Sequence, residues 1–227
     1  VGVASSPLPL PSGVSYQVSL SNLIAGTGVI FPSGTASQNK PVSRGNTFTV
    51  WLVPHNDATG AVDETGTAYK NPSLDICFTT SATIAALGVS VYYKDSAGKY
   101  RTSFVGFDPD ATRRANNKFK AIAALPGGCG TNGYTYRVTL RLDTDFSVNL
   151  IPVGITPLAL RIRPYYAAST IAIIPQANTL PKQGNQIVST GQSGQSARKI
   201  SVSEKYIVPA PFLDHALFNT GSTNLTK

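Results

Sequence analysis

Pro157-Leu-Ala-Leu-Arg161-Ile-Arg163-Pro164-Tyr-Tyr166 is the stretch on which the fold turns. Leu158, Leu160 and Ile162, with Tyr165 closing the run, alternate with small or charged residues, the period of a strand with one buried face. Arg161 and Arg163 then point the other way. Thr170-Ile-Ala-Ile-Ile174 follows, stopped by Pro175, and the short connection predicts that the two runs pair as an antiparallel hairpin. Beyond it, Leu180-Pro-Lys-Gln-Gly184 through Gly191-Gln-Ser-Gly194 is polar and punctuated by glycine, which predicts turns between short strands. Arg198-Lys-Ile-Ser-Val-Ser-Glu-Lys-Tyr-Ile207 alternates again and is a strand. Pro209 and Pro211 precede Phe212-Leu-Asp-His-Ala-Leu-Phe218, whose apolar side chains are expected to dock on the sheet.

The same rhythm runs through the earlier chain. Tyr16 to Leu20, Gly28 to Phe31, Thr47 to Val53 and Leu74 to Thr79 read as strands, and Pro54 to Pro72 as a long polar loop. Trp51 falls on the opposite face of its strand or at a sheet edge. Gly88-Val-Ser-Val-Tyr-Tyr93 and Tyr100-Arg-Thr-Ser-Phe-Val105 flank a short loop holding Gly98, a hairpin pattern. Phe107 to Asn117 departs from the β rhythm, and Pro109 followed by Ala, Thr and Arg can start one helical turn. Tyr134 to Leu142 is a long strand, with Ser147 to Ile151 after it. About a dozen short antiparallel strands with long surface loops define an all-β chain of the β-sandwich kind. Residues 1–13, with Pro7, Pro9 and Pro11, form an extended arm or linker, expected to reach a neighbour. Residues 14–227 form the sandwich, divisible into 14–72 and 73–218 with a mobile tail at 219–227.

At 227 residues the chain is long enough to bury a core without many crosslinks. The 20 glycines, 16 prolines and 13% charged residues favour turns and short strands over helices. No apolar run reaches the roughly 20 residues of a membrane-spanning helix. With no methionine in the sequence, Val1 is no initiator; the chain begins after processing or inside a longer one. The two cysteines, Cys77 and Cys129, lie outside Cys-x-x-Cys spacing and are too few for a four-ligand zinc site. They are either buried free thiols or a disulfide, and the turn-rich, secreted character of the composition favours the disulfide.

The net charge of +8 is uneven: residues 1–90 hold 3 Lys+Arg against 4 Asp+Glu, and residues 91–227 hold 16 against 7. Such a field attracts anionic surfaces, and Arg137, Arg141, Arg161, Arg163, Arg198 and Lys199 are the candidate contacts. The plainer reading is that scattered cations keep an extracellular β protein soluble and guard its sheet edges. Chemistry is sparse. Only His55, beside Asp57 in a polar loop and expected to be solvated, and His215, inside the closing apolar segment, could serve as a base. No Gly-x-Ser-x-Gly elbow accompanies them, so no catalytic set is assigned. Asp108/Asp110 and Asp143/Asp145 have the spacing that opens a calcium loop without its Gly and distal Glu, and they fit turns equally well. No metal or cofactor is assigned. Tyr134, Tyr136 and Arg137, or Tyr165, Tyr166 and Arg163, have the residue types that stack on nucleic-acid bases, but tyrosine is also a favoured strand residue, and nucleic acid is set aside. A small-molecule substrate is set aside with it. Asn224-Leu-Thr226 is the single glycosylation sequon of the chain.

The order Arg161-Ile-Arg163-Pro164-Tyr-Tyr166, Leu180-Pro-Lys-Gln-Gly184, Ile187-Val-Ser-Thr-Gly191, Arg198-Lys-Ile and Phe212-Leu-Asp-His-Ala-Leu-Phe218 resembles the C-terminal half of minor-pilin-like surface proteins. These belong to the type IV pilus (PilX-like) kind found in bacteria of the candidate phyla, and they close on a Phe-Asp-Tyr-Ala-Leu-Phe pattern. The resemblance covers residues 74–218 and places Cys77 and Cys129 where such proteins often carry two cysteines. It implies a non-enzymatic structural or adhesive component of an extracellular filament at the cell surface. Its partners would be other subunits or its own copies, with a host-cell or anionic surface as target. It also implies a hydrophobic anchoring helix, which does not occur within these 227 residues. Two other readings fit the residues: a filament or capsid subunit joined through its N-terminal arm, and a β-sandwich module binding an anionic glycan or nucleic acid.

Overall fold

The computed structural model describes residues 3–5, 7–10, 14–79, 82–122, 129 and 132–208. The closing segment Phe212–Phe218, His215, the sequon and the tail 219–227 lie outside the described residues. Two β-sheets pack face to face. One has the order β4-β10-β6-β7-β8, with β4 at Phe48–Trp51, β6 at Ala86–Lys94, β7 at Tyr100–Asp108, β8 at Lys120–Ala121 and β10 at Thr156–Tyr165. The other has the order β11-β5-β9, with β5 at Ser73–Phe78, β9 at Tyr136–Arg141 and β11 at Ile171–Pro175. Phe48, Val50, Leu87, Val89, Val91, Val105, Phe107, Leu160 and Ile162 of the first join Leu74, Ile76, Phe78, Val138, Leu140, Ile171 and Ile173 of the second in one core. Alternate residues of each strand point to one face, so two inward faces make one sandwich core. The fold is all-β and sandwich-like. It has no seam at residue 72, because β4 from the first portion pairs with β10 from the second.

The predicted hairpin of β10 with the following strand does not form. β10 pairs with β4 and β6, whereas β11 crosses to the other sheet and pairs with β5. Both edges of β10 are taken by β4 and β6, and beside β5 the apolar β11 is buried at four of its five positions, with Ile171 and Ile173 in the core and Ala172 in the cluster around Cys77. The β6–β7 hairpin stands as read, in register from Leu87↔Phe107 to Lys94↔Tyr100. Gly28 to Phe31 and Ser147 to Ile151 are not strands; the first contributes only an isolated bridge, Phe31↔Ile173. The expected helical turn is α1, Ala111–Asn117, whose N-cap Asp110 accepts from the amides of Thr112 and Arg113.

Cys77 and Cys129 form a disulfide. It sits on the outer face of the smaller sheet, with Ala36, Tyr134 and Ala172 packed around it as a second apolar cluster. Cys129 and the loop around Ala36 are thereby fastened to β5.

A third sheet leaves the sandwich as a ribbon: β3 (Val14–Asn22), β12 (Gly184–Ser193) and β13 (Ser196–Lys205), with β1 (Val3–Ala4) and β2 (Leu8–Leu10) along the outside of β3. The glycine-rich stretch after Leu180 is therefore not a set of turns. Residues 184–193 form one ten-residue strand held between β3 and β13, paired with β13 over all ten residues and with β3 from Asn185 to Ser193. The arm differs from expectation too, since its described residues pair with β3 of their own chain, Val3↔Leu20 and Leu8↔Tyr16. Pro9 is accommodated because β2 lies at the sheet edge, where a missing N–H costs no ladder bond.

Candidate functional site

The ribbon is rooted at two points, one on the free edge of β4 and one on the loop that follows it. Gln183 is 3% exposed, and its side chain both accepts from the Trp51 amide and donates to the Trp51 carbonyl at 2.8 Å. It completes the edge as a neighbouring strand would. The other strand of the hairpin returns through Tyr206, whose ring stacks on His55 at 4.0 Å between centroids and whose hydroxyl donates to Asp57 at 2.9 Å. Trp51 meets the other side of His55 edge-on at 4.5 Å. Between the two roots, Gly184 has φ +146°, and a Cβ there would run into the carbonyl of Glu204 and lie 2.8 Å from the Lys205 Cα. Only glycine lets the two strands start this close together.

This corrects the reading of His55, which is 9% exposed rather than solvated. Burial lowers the pKa of its ring. Asp57 does not orient it as an acid–base partner would. Its carboxylate takes Lys182 at 2.7 Å and Tyr206, and those two hydrogen bonds hold the Asp57 carboxyl below its ordinary range. In return, burial and the Asp57 carboxylate push the Tyr206 hydroxyl up to about 12. The cluster locks two elements together. Trp51, placed on the opposite face or at an edge by the sequence, is on edge strand β4 and buried.

The acidic pairs are committed to structure. Asp108 is fully buried and accepts from Arg113 at 2.7 and 3.0 Å, from the Asp110 amide at 2.9 Å and from Asn117 at 2.8 Å. Burial pushes the Asp108 carboxyl up, but Arg113 and the other donors outweigh it and hold it below the usual carboxylate range. The Arg113 guanidinium also lies 4.3 Å over the Tyr166 ring. Asp145 takes Lys120 at 2.7 Å and the Arg141 amide at 2.7 Å, and Asp143 takes Arg141 at 3.3 Å. Among the described residues no three His, Cys, Asp or Glu side chains cluster as metal ligands.

The six cations proposed for an anionic surface do not converge. Arg137 pairs at 2.8 Å with Asp75, itself buried and also bonded by Thr139 and Gln176. Arg141 lies at the end of the same strand, beside Asp143. Arg161 and Arg163 are 2% and 7% exposed, because the outer face of β10 is buried as well as the inner one. They line a cavity of about 90 Å³ with Thr47, Ser90, Phe104 and Tyr165, and Arg161 donates to the Thr47 hydroxyl at 3.0 Å. Arg198 and Lys199 are on β13, in the ribbon, on opposite faces. Three separate sheets thus carry the six.

What the sequence did not signal is the ribbon's two-sidedness. Register and alternation place Tyr16, Val18 and Leu20 of β3, Ile187 of β12, and Ile200 and Val202 of β13 on one face, joined by Leu8 from β2. Leu20 is 48% exposed, Ile200 65% and Val202 53%. The other face, with Gln186, Ser201 and Ser203, lines a groove against the loops that hold Ile24, Val29 and Lys40. Each strand reads as weakly alternating alone, and only the pairing of residues 14–22 with 184–193 sums them into an apolar surface. All ten residues of β13 are exposed and its outer edge has no neighbour among the described strands. No family profile, no curated protein and no solved structure matches this chain. Among the described residues no helix is long and apolar enough to cross a membrane.

Proposed function

We propose that this chain is a non-enzymatic structural or adhesive component of an extracellular filament at the cell surface, the role implied by its resemblance to type IV minor-pilin-like proteins. One observation carries the reading: a disulfide-pinned sandwich presents a long ribbon whose apolar face and outer edge are both uncovered among the described residues. Exposed edges and faces of this size are costly to a monomer and are kept where another chain uses them. The titratable groups described above are spent on holding the body and the ribbon root together, which suits a scaffold. A disulfide suits an oxidising compartment outside the cytosol. The test is electron microscopy of the native material with an antibody raised against the chain. Label along filaments at the surface is expected; label confined to the cell interior would refute the reading.

A second reading, a module for an anionic glycan, has its own observation. The cavity of Arg161 and Arg163 adjoins an apolar one of about 170 Å³ lined by Trp51, Tyr92, Leu158 and Ala159, with Arg161 common to both. A uronic-acid sugar would place its carboxylate and its ring in those two environments. Salt-dependent retention on heparin that is lost in Arg161→Gln would support it.

A further inference from the structure

We infer that the ribbon's apolar face is a self-association surface, packed in the assembled state against the same face of a second copy of this chain. The inference rests on the filament reading only in naming the partner. Size is the first argument. β3, β12 and β13, nine or ten residues each, with the five residues of β1 and β2 beside β3, present roughly 500 Å² at about 4.8 Å between strands and about 3.3 Å per residue, so two copies face to face bury about 1,000 Å², the area a specific interface has to clear. Composition is the second, since Tyr16, Val18 and Leu20 on one side and Ile200 and Val202 on the other, bridged by Ile187 across a middle strand that otherwise presents Asn185, Ser189 and Gly191, are the branched and aromatic residues that fill sheet-on-sheet packing.

Charge selects a second copy over an unrelated partner. The two charged residues of β13 on this face are Arg198 and Glu204, on either side of Ile200 and Val202. A two-fold axis lying in the interface, perpendicular to the strands at the level of Ser201, lays β13 antiparallel over its copy. Ile200 then faces Val202 of the second copy, and Arg198 faces its Glu204, twice by symmetry. Isologous interfaces are self-complementary in this way. Room for Arg198 exists because its cross-strand partner is Gly191. The groove and the loops that hold Ile24, Val29 and Lys40 lie on the opposite face, with Gln186, Ser201 and Ser203.

Sedimentation equilibrium of the oxidised full chain over the micromolar range tests this. A dimer is expected for the wild type. Ile200→Asp with Val202→Asp should weaken it by about 100-fold, as for central hot-spot residues, while Lys199→Asp, one position along on the other face, should leave it intact. Arg198→Glu should weaken the dimer about tenfold, and Arg198→Glu with Glu204→Arg should restore it. Amide hydrogen exchange across β12 and β13 shows whether the ribbon itself survives each change; where protection is lost, the charge-exchange pair decides. A wild-type chain that stays monomeric throughout that micromolar range overturns the inference. So does a dimer indifferent to the paired aspartates, or one that the charge exchange fails to restore. Filaments imaged on the cell with a monomeric chain in solution would remove this contact and leave the filament reading standing; dimers without filaments would do the reverse.

Discussion

The sandwich and the ribbon are made of the same kind of strand, alternating and rich in branched residues, yet they end in opposite states. In β5, five of six residues are buried; in β13, all ten are exposed. The difference is the second layer. β5 has a sheet across from it and a disulfide behind it, whereas β13 has one neighbour, β12, and nothing over its apolar face among the described residues. Backbone pairing alone makes a strand, but it takes a facing layer to turn alternating side chains into stability. The body is where folding energy is held, and the ribbon is where apolar surface is left for something else.

The sharpest way to break this comparison is to truncate one residue in each region. Leu140→Ala, at a fully buried position facing β5, should cost about 3 to 5 kcal/mol in urea unfolding. Ile200→Ala, measured at a dilution where the chain is monomeric, should change it by less than about 0.5 kcal/mol. Equal losses would mean that the ribbon belongs to the folding core.

Next in size is the disulfide, which closes a separation of 52 residues. Cys77→Ser with Cys129→Ser should lower stability by about 4 kcal/mol in the chain-entropy picture. Mass spectrometry of the non-reduced protein should find no free thiol.

Arg113→Ala strips the main partner from buried Asp108 and should cost about 3 kcal/mol. Its pH signature follows from the depressed Asp108 carboxyl. That group contributes stability above the unfolded carboxylate range, and the contribution is lost as pH falls through its lower folded value. The variant should show a shallower acid limb than the wild type in pH-dependent thermal unfolding.

The smallest effect concerns the root. Because burial lowers the pKa of His55, the unfolded chain takes up its proton first as pH falls below the ordinary value of 6.5. Stability then declines until the folded value is reached and is flat below it. His55→Gln should remove that part of the slope between pH 7 and 5. A slope identical to the wild type would show that the His55–Tyr206 stack opens without cost.

Much of the architecture was legible along the chain. Tyr136–Arg141 alternates buried and exposed at every position, the β6–β7 hairpin is bracketed by its own loop, and the helical turn follows Pro109 as its residues suggest. These are local signals, read within ten residues. Arg161 and Arg163 were misread as facing an open surface because period two says only that two faces differ, not that one is wet. His55 looked solvated because its loop is polar, and nothing near it in sequence reveals the Tyr206 ring that covers it from about 150 residues away.

Composition and periodicity by themselves determined that the chain is all-β, built mainly of antiparallel strands, and suited to an oxidising compartment with its two cysteines; that six of the strands run to nine or ten residues was not legible. Those properties follow from side-chain chemistry and backbone preference, which act over a few residues. Only the tertiary structure decided which strands are neighbours: that β10 leaves β11 to the other sheet, that the glycine-rich stretch is a strand, and that residues 14–22 and 184–193 meet to sum scattered leucines, valines and isoleucines into one surface. Partner choice is a global competition among strands of similar pattern, settled by how much apolar area the whole arrangement buries.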